Sequence, residues 1–412
     1  MRSNNEMTKM TRRTSYFCLA ALMMTTATAF VSCEDEDNEE LQGNWVELKD
    51  VFPGVERGSA VCFVINNEAY VGTGANTTRT EERERFCDFY KASYSGTYNK
   101  GGLVWSSNWD KAPVDGNVAS LPESAKRNGA VAFALNGKGY VGTGYNGTTY
   151  LKDFWEYDPE ANTWTQIADY PGDSVRYAIA FVLPTKETDG YKPTAYVGSG
   201  ENFDADKKND FYAFDGTNWT NTNVANLGYK RSQASVFVLT DPKNGQEYAY
   251  VVGGNHNGAV DWFERYDYKK NTWEDLYRIS NRTKYDFDDD YTLAAYGSTA
   301  FVLDDVNGEP RAYLTTGGAG YAGNATWEYN PRYDYWIQKT GFEGSVRKFA
   351  VSFVLDLDDV MTDEEKANPN YPHQRAFVTT GCSADITTTG SGGTFYDDVW
   401  FFNPHEQYED KD

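Results

Sequence analysis

Five arginines recur at nearly the same place in successive stretches of the chain, and together they could bind a ligand. Four lie six residues before the Phe of an apolar segment and one lies five residues before it: Arg57, Arg127, Arg231, Arg347 and, at the shorter spacing, Arg176. A guanidinium group is a planar fork of donors that suits carboxylates, sulfates and sugar hydroxyls. The alternative is a structural role, in which each arginine pairs with a nearby acid or with backbone carbonyls.

A second set of polar and aromatic residues follows a recurring glycine turn. Its members are Tyr145, Glu201, Asn255 and His256. If these turns and the arginines share one face of the fold, aromatic and amide side chains would surround a charged opening. Such an opening suits a carbohydrate or the end of a peptide. The same residue types are also common in exposed turns, so the pattern by itself does not identify a ligand.

The scaffold for these residues is a pattern that occurs six times. In each copy a Tyr or Phe precedes a Gly by four residues: Tyr70–Gly74, Tyr140–Gly144, Tyr196–Gly200, Tyr250–Gly254, Tyr313–Gly317 and Phe377–Gly381. An apolar run of strand length precedes each turn. Most copies continue with an aromatic segment that ends in Asp or Asn, and then with one of five tryptophans: Trp109, Trp164, Trp219, Trp273 and Trp336. Four short strands in each copy predict the blades of a β-propeller.

The pattern resembles the Kelch family, most clearly in the aromatic, Tyr-Asp-Pro segment Trp155–Pro159 and in the Asn162–Trp164 that follows. We therefore expect an all-β protein in which residues 44–412 form a six-bladed Kelch-type β-propeller. The last copy lacks a closing Trp, whereas Trp45–Leu48 reads as an outer strand without a blade. This segment is expected to pair beside Val399–Phe402 and to close the ring, which removes two open sheet edges. A propeller of seven blades, one of them degenerate, is the alternative.

The Kelch resemblance also raises two enzymatic activities. Copper radical oxidases of this fold need at least two His ligands, a Tyr ligand and a Tyr joined to a Cys. The chain has three histidines, His256, His373 and His405, which are expected to lie too far apart. We therefore predict no copper site and no other cofactor. Sialic acid mutarotases of this fold need only an acid or base beside a sugar-binding arginine cluster, and Glu201 could supply it.

The first residues have the features of an export signal. Arg12 and Arg13 precede a short apolar stretch, which ends in Ser32-Cys33 and resembles a bacterial lipobox. Residues 1–32 are thus a predicted lipoprotein signal peptide, and Cys33 is the predicted lipidation site. Residues 33–43 form an acidic tether that resembles the export tag of Bacteroidota-type surface lipoproteins. An ordinary secretory signal, or attachment on the periplasmic face, is the alternative.

Charge and cysteine content limit the partners and the covalent structure. A formal net charge of −23 disfavours nucleic acid and anionic lipid as general partners, because both would be repelled. The three cysteines outside the signal and the tether, Cys62, Cys87 and Cys382, are an odd number and do not indicate a disulfide framework.

The sequence therefore predicts a lipid-anchored propeller at the outer membrane, exposed on the cell surface, that binds a glycan or protein partner without catalysis. One alternative is a sugar mutarotase or epimerase of the sialic acid type. The other is a scaffold subunit of an outer-membrane complex, whose partner contacts the insertions at residues 184–194 and 356–375.

Overall fold

The computed structural model describes residues 41–77, 84–106, 117–187, 190–220, 224–278, 294–318, 323–386 and 393–407. The predicted signal peptide, the lipidation site Cys33 and most of the tether lie outside these residues, so they stay predictions. Within the described part of the chain, no helix is both long and apolar enough to cross a membrane.

The described residues form six four-stranded antiparallel sheets, which are the six predicted blades. Blades 1 to 3 contain the strands β2 (Val61–Ile65), β3 (Glu68–Gly72), β6 (Phe89–Ser95) and β7 (Gly102–Trp105); β8 (Val131–Leu135), β9 (Lys138–Gly142), β10 (Phe154–Asp158) and β11 (Thr163–Ile167); and β12 (Ile179–Glu187), β13 (Gly190–Gly198), β14 (Phe211–Phe214) and β15 (Trp219–Thr220).

Blades 4 to 6 contain the strands β16 (Ser235–Asp241), β17 (Gln246–Val252), β18 (Phe263–Asp267) and β19 (Thr272–Asp275); β20 (Thr299–Asp304), β21 (Pro310–Thr315), β22 (Thr326–Asn330) and β23 (Tyr335–Lys339); and β24 (Val351–Asp356), β25 (Gln374–Thr379), β26 (Val399–Gln407) and β1 (Gln42–Glu47). A small hairpin of β4 (Ala75–Asn76) and β5 (Glu84–Arg85) and one short helix, α1 (Asp363–Ala367), complete the described elements together with two 3₁₀ turns, Glu123–Ala125 and Asp358–Val360.

The repeated aromatic residues hold neighbouring blades together. In blade 1 the rings of Phe63 and Tyr70 stack with centroids 5.1 Å apart. Trp164 of blade 2 then packs against this blade, with its ring 4.8 Å from that of Phe89. Ring pairs at such distances stabilise the packing by more than the burial of their apolar area alone would. The predicted Trp109 of blade 1 lies outside the described residues, and Trp105 makes the contact with blade 6.

The ring closes as the sequence predicts. Strand β1 pairs antiparallel with β26, and Trp45 lies opposite Phe402. The strand begins at Gln42, so the last two residues of the predicted 33–43 tether belong to the propeller. The Trp45 ring is almost fully buried, and its Nε1 donates to Thr326 Oγ1 of blade 5 at 3.2 Å. The N-terminal strand therefore joins two blades as well as completing one.

The propeller has two different faces. We name the face where the first strand of each blade begins, and where the glycine turns lie, the upper face. The turns between first and second strands lie on the lower face, and these include helix α1 and the long β12–β13 hairpin. Strand β26 runs from the upper to the lower face, and Gln42 pairs with its last residue, Gln407. The chain therefore enters the propeller at the lower face.

Candidate ligand-binding face

A closed collar of backbone hydrogen bonds surrounds the central channel at the upper face. One residue from each blade donates its N–H to the carbonyl of the collar residue in the preceding blade, at 2.7–3.1 Å. In blade order the collar consists of Ser59, Gly129, Tyr177, Gln233, Gly297 and Phe349. All six have φ between +54° and +65°. Residues other than glycine rarely adopt this left-handed backbone conformation, because it is strained. Here the closed ring of hydrogen bonds holds them in it.

Two collar side chains close the channel. The rings of Tyr177 and Phe349, from opposite blades, stack across the opening with centroids 5.1 Å apart and an angle of 19°. Glycines make room for them, because a Cβ on Gly129 would lie 3.0 Å from the Tyr177 ring and one on Gly297 would lie 2.7 Å from the Phe349 ring. The Tyr177 hydroxyl donates to the carbonyl of Ile386 at 3.4 Å. Both rings are buried, so the centre of the upper face is closed by a buried aromatic pair and is not an open funnel.

Four of the five predicted arginines do not reach this surface. The side chains of Arg57, Arg127, Arg231 and Arg347 are fully buried inside their own blades. Each pairs with a carboxylate at the start of the third strand: Asp88, Asp153, Glu264 and Asp398. Each also donates to the backbone at the end of the second strand, at the carbonyls of Thr73, Thr143, Gly253 and Thr380.

These four arginines thus join three strands of one blade, and the prediction that they line the mouth is wrong. The carboxylates respond to the same contacts. Burial by itself would raise the pKa of Asp153, but the hydrogen bond and charge of Arg127 outweigh it and hold this pKa below its usual range. Arg347 has the same effect on the pKa of Asp398. Ligand contact by these four residues stays a prediction, and the geometry favours their structural role.

Arg176 differs because it stands one residue out of register. The backbone position that Arg127 holds in blade 2 belongs to Val175 in blade 3, whose carbonyl accepts from Gly144 as that of Arg127 accepts from Gly74. One residue later, the Arg176 side chain turns towards the upper face and lies over the Tyr150 ring at 5.1 Å. Its spacing of five residues from the strand Phe, instead of six, was the signal of this difference.

Glu201 is held tightly beside Arg176. Arg176 Nε donates to Glu201 Oε1 at 2.8 Å, Ser232 Oγ donates to Oε2 at 3.3 Å, and Lys207 forms a second ion pair. Burial by itself would raise the pKa of Glu201, but the hydrogen bond from Lys207 and the charge of Arg176 lower it below its usual range. Glu201 is therefore a fixed carboxylate at neutral pH.

The remaining predicted residues are unequal in their access to solvent. Tyr145 is buried, and its hydroxyl donates to the carbonyl of Gly147 at 2.6 Å. Asn255 is half-buried and forms an antiparallel backbone bridge with Ser232, whose hydroxyl donates to Glu201. His256 is exposed and its Nδ1 lies 2.8 Å from the carbonyl of Lys230, outside this cluster. The structure thus brings Arg176, Glu201 and Tyr145 together.

A second charged group, which the sequence pattern did not indicate, lies on the other side of the aromatic pair. Lys348 Nζ donates to Asp385 Oδ1 at 2.7 Å and to the Tyr296 hydroxyl at 3.1 Å. Lys348 directly precedes Phe349, so it occupies the position that Arg176 occupies before Tyr177. We name Arg176, Glu201, Lys348 and Asp385 the rim. Two charged pairs therefore flank the Tyr177–Phe349 stack.

The three histidines lie on two faces of the propeller. His256 lies on the upper face, whereas His373 and His405 line one cavity on the lower face. The three therefore do not meet at one site. Among the described residues, no group of three or more His, Cys, Asp or Glu side chains could hold a metal ion.

Comparisons with known proteins agree with the architecture. The Kelch motif model matches residues 126–169 and 246–276, which lie in blades 2 and 4. A solved structure titled "Structure of YjhT" aligns with a TM-score of 0.55 and 14% identity, over 84% of this chain and 95% of that one. No curated protein matches the sequence. At this identity the likeness concerns the fold alone, and a fold hosts many functions.

Proposed function

We propose that this six-bladed β-propeller, which carries Kelch motifs, is a non-catalytic binding protein that holds a glycan or protein ligand on its upper face. We further propose that a lipid on Cys33 anchors it to the outer membrane, with the propeller displayed at the cell surface. The observation that carries the binding proposal is the rim, whose two charged pairs lie on either side of the closed centre. Charged side chains that are already held in place suit the polar groups of both kinds of ligand.

The state of Glu201 favours binding over the mutarotase alternative. A general acid or base works best when its pKa lies near the operating pH. The two cations beside Glu201 lower its pKa instead, so it holds no proton to donate at neutral pH. Its contacts also occupy both carboxylate oxygens. The same group is well placed to keep Arg176 and Lys207 in fixed positions for a ligand.

The path of the chain supports the upper face as the ligand face. The propeller begins at Gln42 on the lower face. The nine peptide steps from Cys33 to Gln42 reach at most about 30 Å when fully extended. With a lipid on Cys33, the lower face would stay near the membrane and the upper face would point away from it. A surface ligand would then meet the upper face first.

The scaffold alternative has its own support on the lower face. Helix α1 begins with a capping box between Thr362 and Glu365. The segment after it contacts blade 1, where the Tyr371 ring lies 5.2 Å from that of Tyr98. The insertion at 356–375 is therefore a shaped surface on the side from which the tether leaves. A membrane partner that co-purifies in mild detergent, and is lost when α1 is replaced by a short turn, would favour this function.

The test of the binding proposal uses a glycan array and a cross-linking screen on the mature protein in mild detergent. For any ligand found, Lys348→Ala and Arg176→Gln should each weaken binding at least tenfold. The control is His256→Ala, which alters an exposed upper-face residue outside the rim and should bind normally. Equal binding by all variants would contradict the rim as the site. Anomer exchange of N-acetylneuraminate that disappears in Glu201→Gln would instead support the mutarotase.

A further inference from the structure

A single exposed aromatic ring stands at the tip of a hairpin on the upper face, next to the rim. Phe203 is 64% exposed, the highest value among the exposed large apolar side chains of the described residues. It lies two residues after Glu201 of the rim, in the loop that follows the glycine turn of blade 3. Contact of a whole aromatic ring with water is unfavourable, so burial of this ring would stabilise a ligand that covers it.

The hairpin that carries this ring has a fixed shape. Glu201 and Lys207 form a backbone bridge, and the Asn202 N–H donates to the carbonyl of Asp206 at 3.0 Å. The Asn202 side chain also accepts from the Asp206 N–H, at 2.9 Å. Ala205, the third residue of the tip, has a φ of +63°, at a position where such hairpins normally have Gly. The tip is therefore strained, and strain of this kind is often found at functional sites.

The Phe203 ring is supported on one side and open on another. It contacts the Tyr150 ring edge-to-face, with centroids 5.4 Å apart and an angle of 72°. Tyr150 is itself buried, and it contacts the Tyr145 ring at 5.3 Å and the Arg176 guanidinium at 5.1 Å. No other ring or cation among the described residues packs on Phe203. An edge-to-face contact leaves at least one face of each ring unstacked, so Phe203 keeps a free face in a fixed position.

The cations around this hairpin are already paired. Arg176 and Lys207 both form ion pairs with Glu201. Lys208 Nζ lies 2.5 Å from Asp173 Oδ2. An acidic ligand would have to break one of these pairs, and it would also meet the two exposed carboxylates of the hairpin tip. A neutral ligand with hydroxyl groups avoids both costs, because hydroxyls donate to carboxylates.

The size of the exposed apolar surface favours a sugar over a protein. One Phe ring presents on the order of 100 Å², whereas each side of a stable protein interface contributes about 800 Å². The surroundings are polar, since Asp204 and Asp206 of the tip and Thr148 and Thr149 of the neighbouring hairpin are exposed. The C–H groups on one face of a pyranose carry partial positive charge and are attracted to the negative face of an aromatic ring. The sugar hydroxyls can pair with the polar neighbours.

We propose that Phe203 is a stacking platform for one pyranose ring of a neutral glycan, and that Asp204 or Asp206 accepts hydrogen bonds from its hydroxyls. This role rests on the function proposed above for the upper face. It narrows the ligand of that face from a glycan or a protein to a neutral glycan. It also adds an exposed contact to the rim, whose charged side chains are mostly paired with one another.

The test is isothermal titration calorimetry of the mature protein in mild detergent with gluco-, manno-, galacto- and xylohexasaccharides at up to 5 mM. At least one should bind. Phe203→Ala should weaken that binding at least tenfold and Phe203→Trp should retain it, whereas Phe203→Leu should lose most of it, because Leu is apolar but has no ring. The control is Tyr333→Ala, which removes a similarly exposed ring in the turn between β22 and β23 and should bind normally. Since both positions are exposed, Tm should change by less than about 1 °C in every variant.

Three results would overturn the proposal: no binding of any neutral hexasaccharide, equal binding by Phe203→Leu, or tighter binding of hexagalacturonate than of every neutral hexasaccharide. Lys348→Ala separates this proposal from the function on which it rests. If Lys348→Ala weakens binding of a ligand from the glycan array or the cross-linking screen and Phe203→Ala does not, only the role of Phe203 is wrong. Unchanged binding in both variants would contradict both proposals.

Discussion

Replacing Arg127 with Ala separates the structural role of the buried arginines from a role in ligand binding. The guanidinium makes four hydrogen bonds inside blade 2. It donates to the carbonyls of Ala125 and Thr143 at 2.7 and 3.1 Å, and to the two oxygens of Asp153 at 3.0 and 2.6 Å. The Arg127 side chain is fully buried, while that of Asp153 is 22% exposed. Arg127→Ala therefore leaves a carboxylate and two carbonyls without their main partner.

The magnitude follows from these contacts. Breaking a buried ion pair by removing one partner costs about 3–5 kcal/mol, and we expect the lower end because Asp153 keeps some contact with water. Unfolding entropy of about 2.1 cal/mol/K per residue gives roughly 0.8 kcal/mol/K for about 370 residues. A loss of about 3 kcal/mol should thus lower Tm by about 4 °C if the closed ring unfolds cooperatively. Calorimetry of the variant at pH 7 measures this directly.

The same measurement should depend on pH in a defined direction. The pKa of Asp153 is lowered in the folded protein, since Arg127 outweighs the effect of burial. The pair therefore stabilises fully above the unfolded pKa of about 3.9, and its contribution disappears as pH falls through the folded value. The difference in Tm between the native chain and Arg127→Ala should shrink below about pH 4. A Tm change under 1 °C at pH 7, combined with lost ligand binding, would refute the structural role.

Three other substitutions test the collar, the closure of the ring and the lipid anchor. Gly129→Ala places a Cβ 3.0 Å from the Tyr177 ring at a φ of +62°. It should lower the free energy of unfolding, measured by chemical denaturation, by about 1–2 kcal/mol. An unchanged midpoint would show that the collar has room for a side chain. Trp45→Ala removes a buried ring that joins blades 5 and 6 and should lower the free energy of unfolding by about 3–5 kcal/mol. Proteolysis near residue 41 should become faster. Resistance to proteolysis equal to that of the native chain would contradict closure by β1. Cys33→Ser should abolish labelling by a palmitate analogue in bacteria, and continued labelling would place the lipid elsewhere.

The sequence predicts the blades well because each one depends on a local pattern. The alternation that buries Phe63 and Tyr70 on one side of a sheet is visible within a dozen residues. The closure by Trp45 is also predictable, since the last copy lacks a Trp and the N-terminal segment contains one that belongs to no other blade. The strand began earlier than expected because the bulge at Gly43 allows pairing to continue to Gln42.

The site was harder to predict because its contacts cross between blades. The arginine positions are visible in the sequence, but their burial depends on acids that lie 26 to 51 residues later. In blade 4 the acid is also displaced. Trp262 stands where the blades of Arg57, Arg127 and Arg347 have Asp, and Glu264 supplies the carboxylate instead. The Tyr177–Phe349 stack joins residues of opposite blades that are far apart in the chain, so no local pattern indicates it.

Hydrogen–deuterium exchange with and without a ligand from the glycan or protein screen shows whether the ligand binds at the upper face, because it identifies the face that the ligand covers. Binding at the rim predicts slower exchange in the peptides around Glu201 and around Lys348 and Asp385, with little change at residues 356–375. Protection confined to residues 356–375 and the lower-face turns, with the rim peptides unchanged, would contradict binding at the upper face.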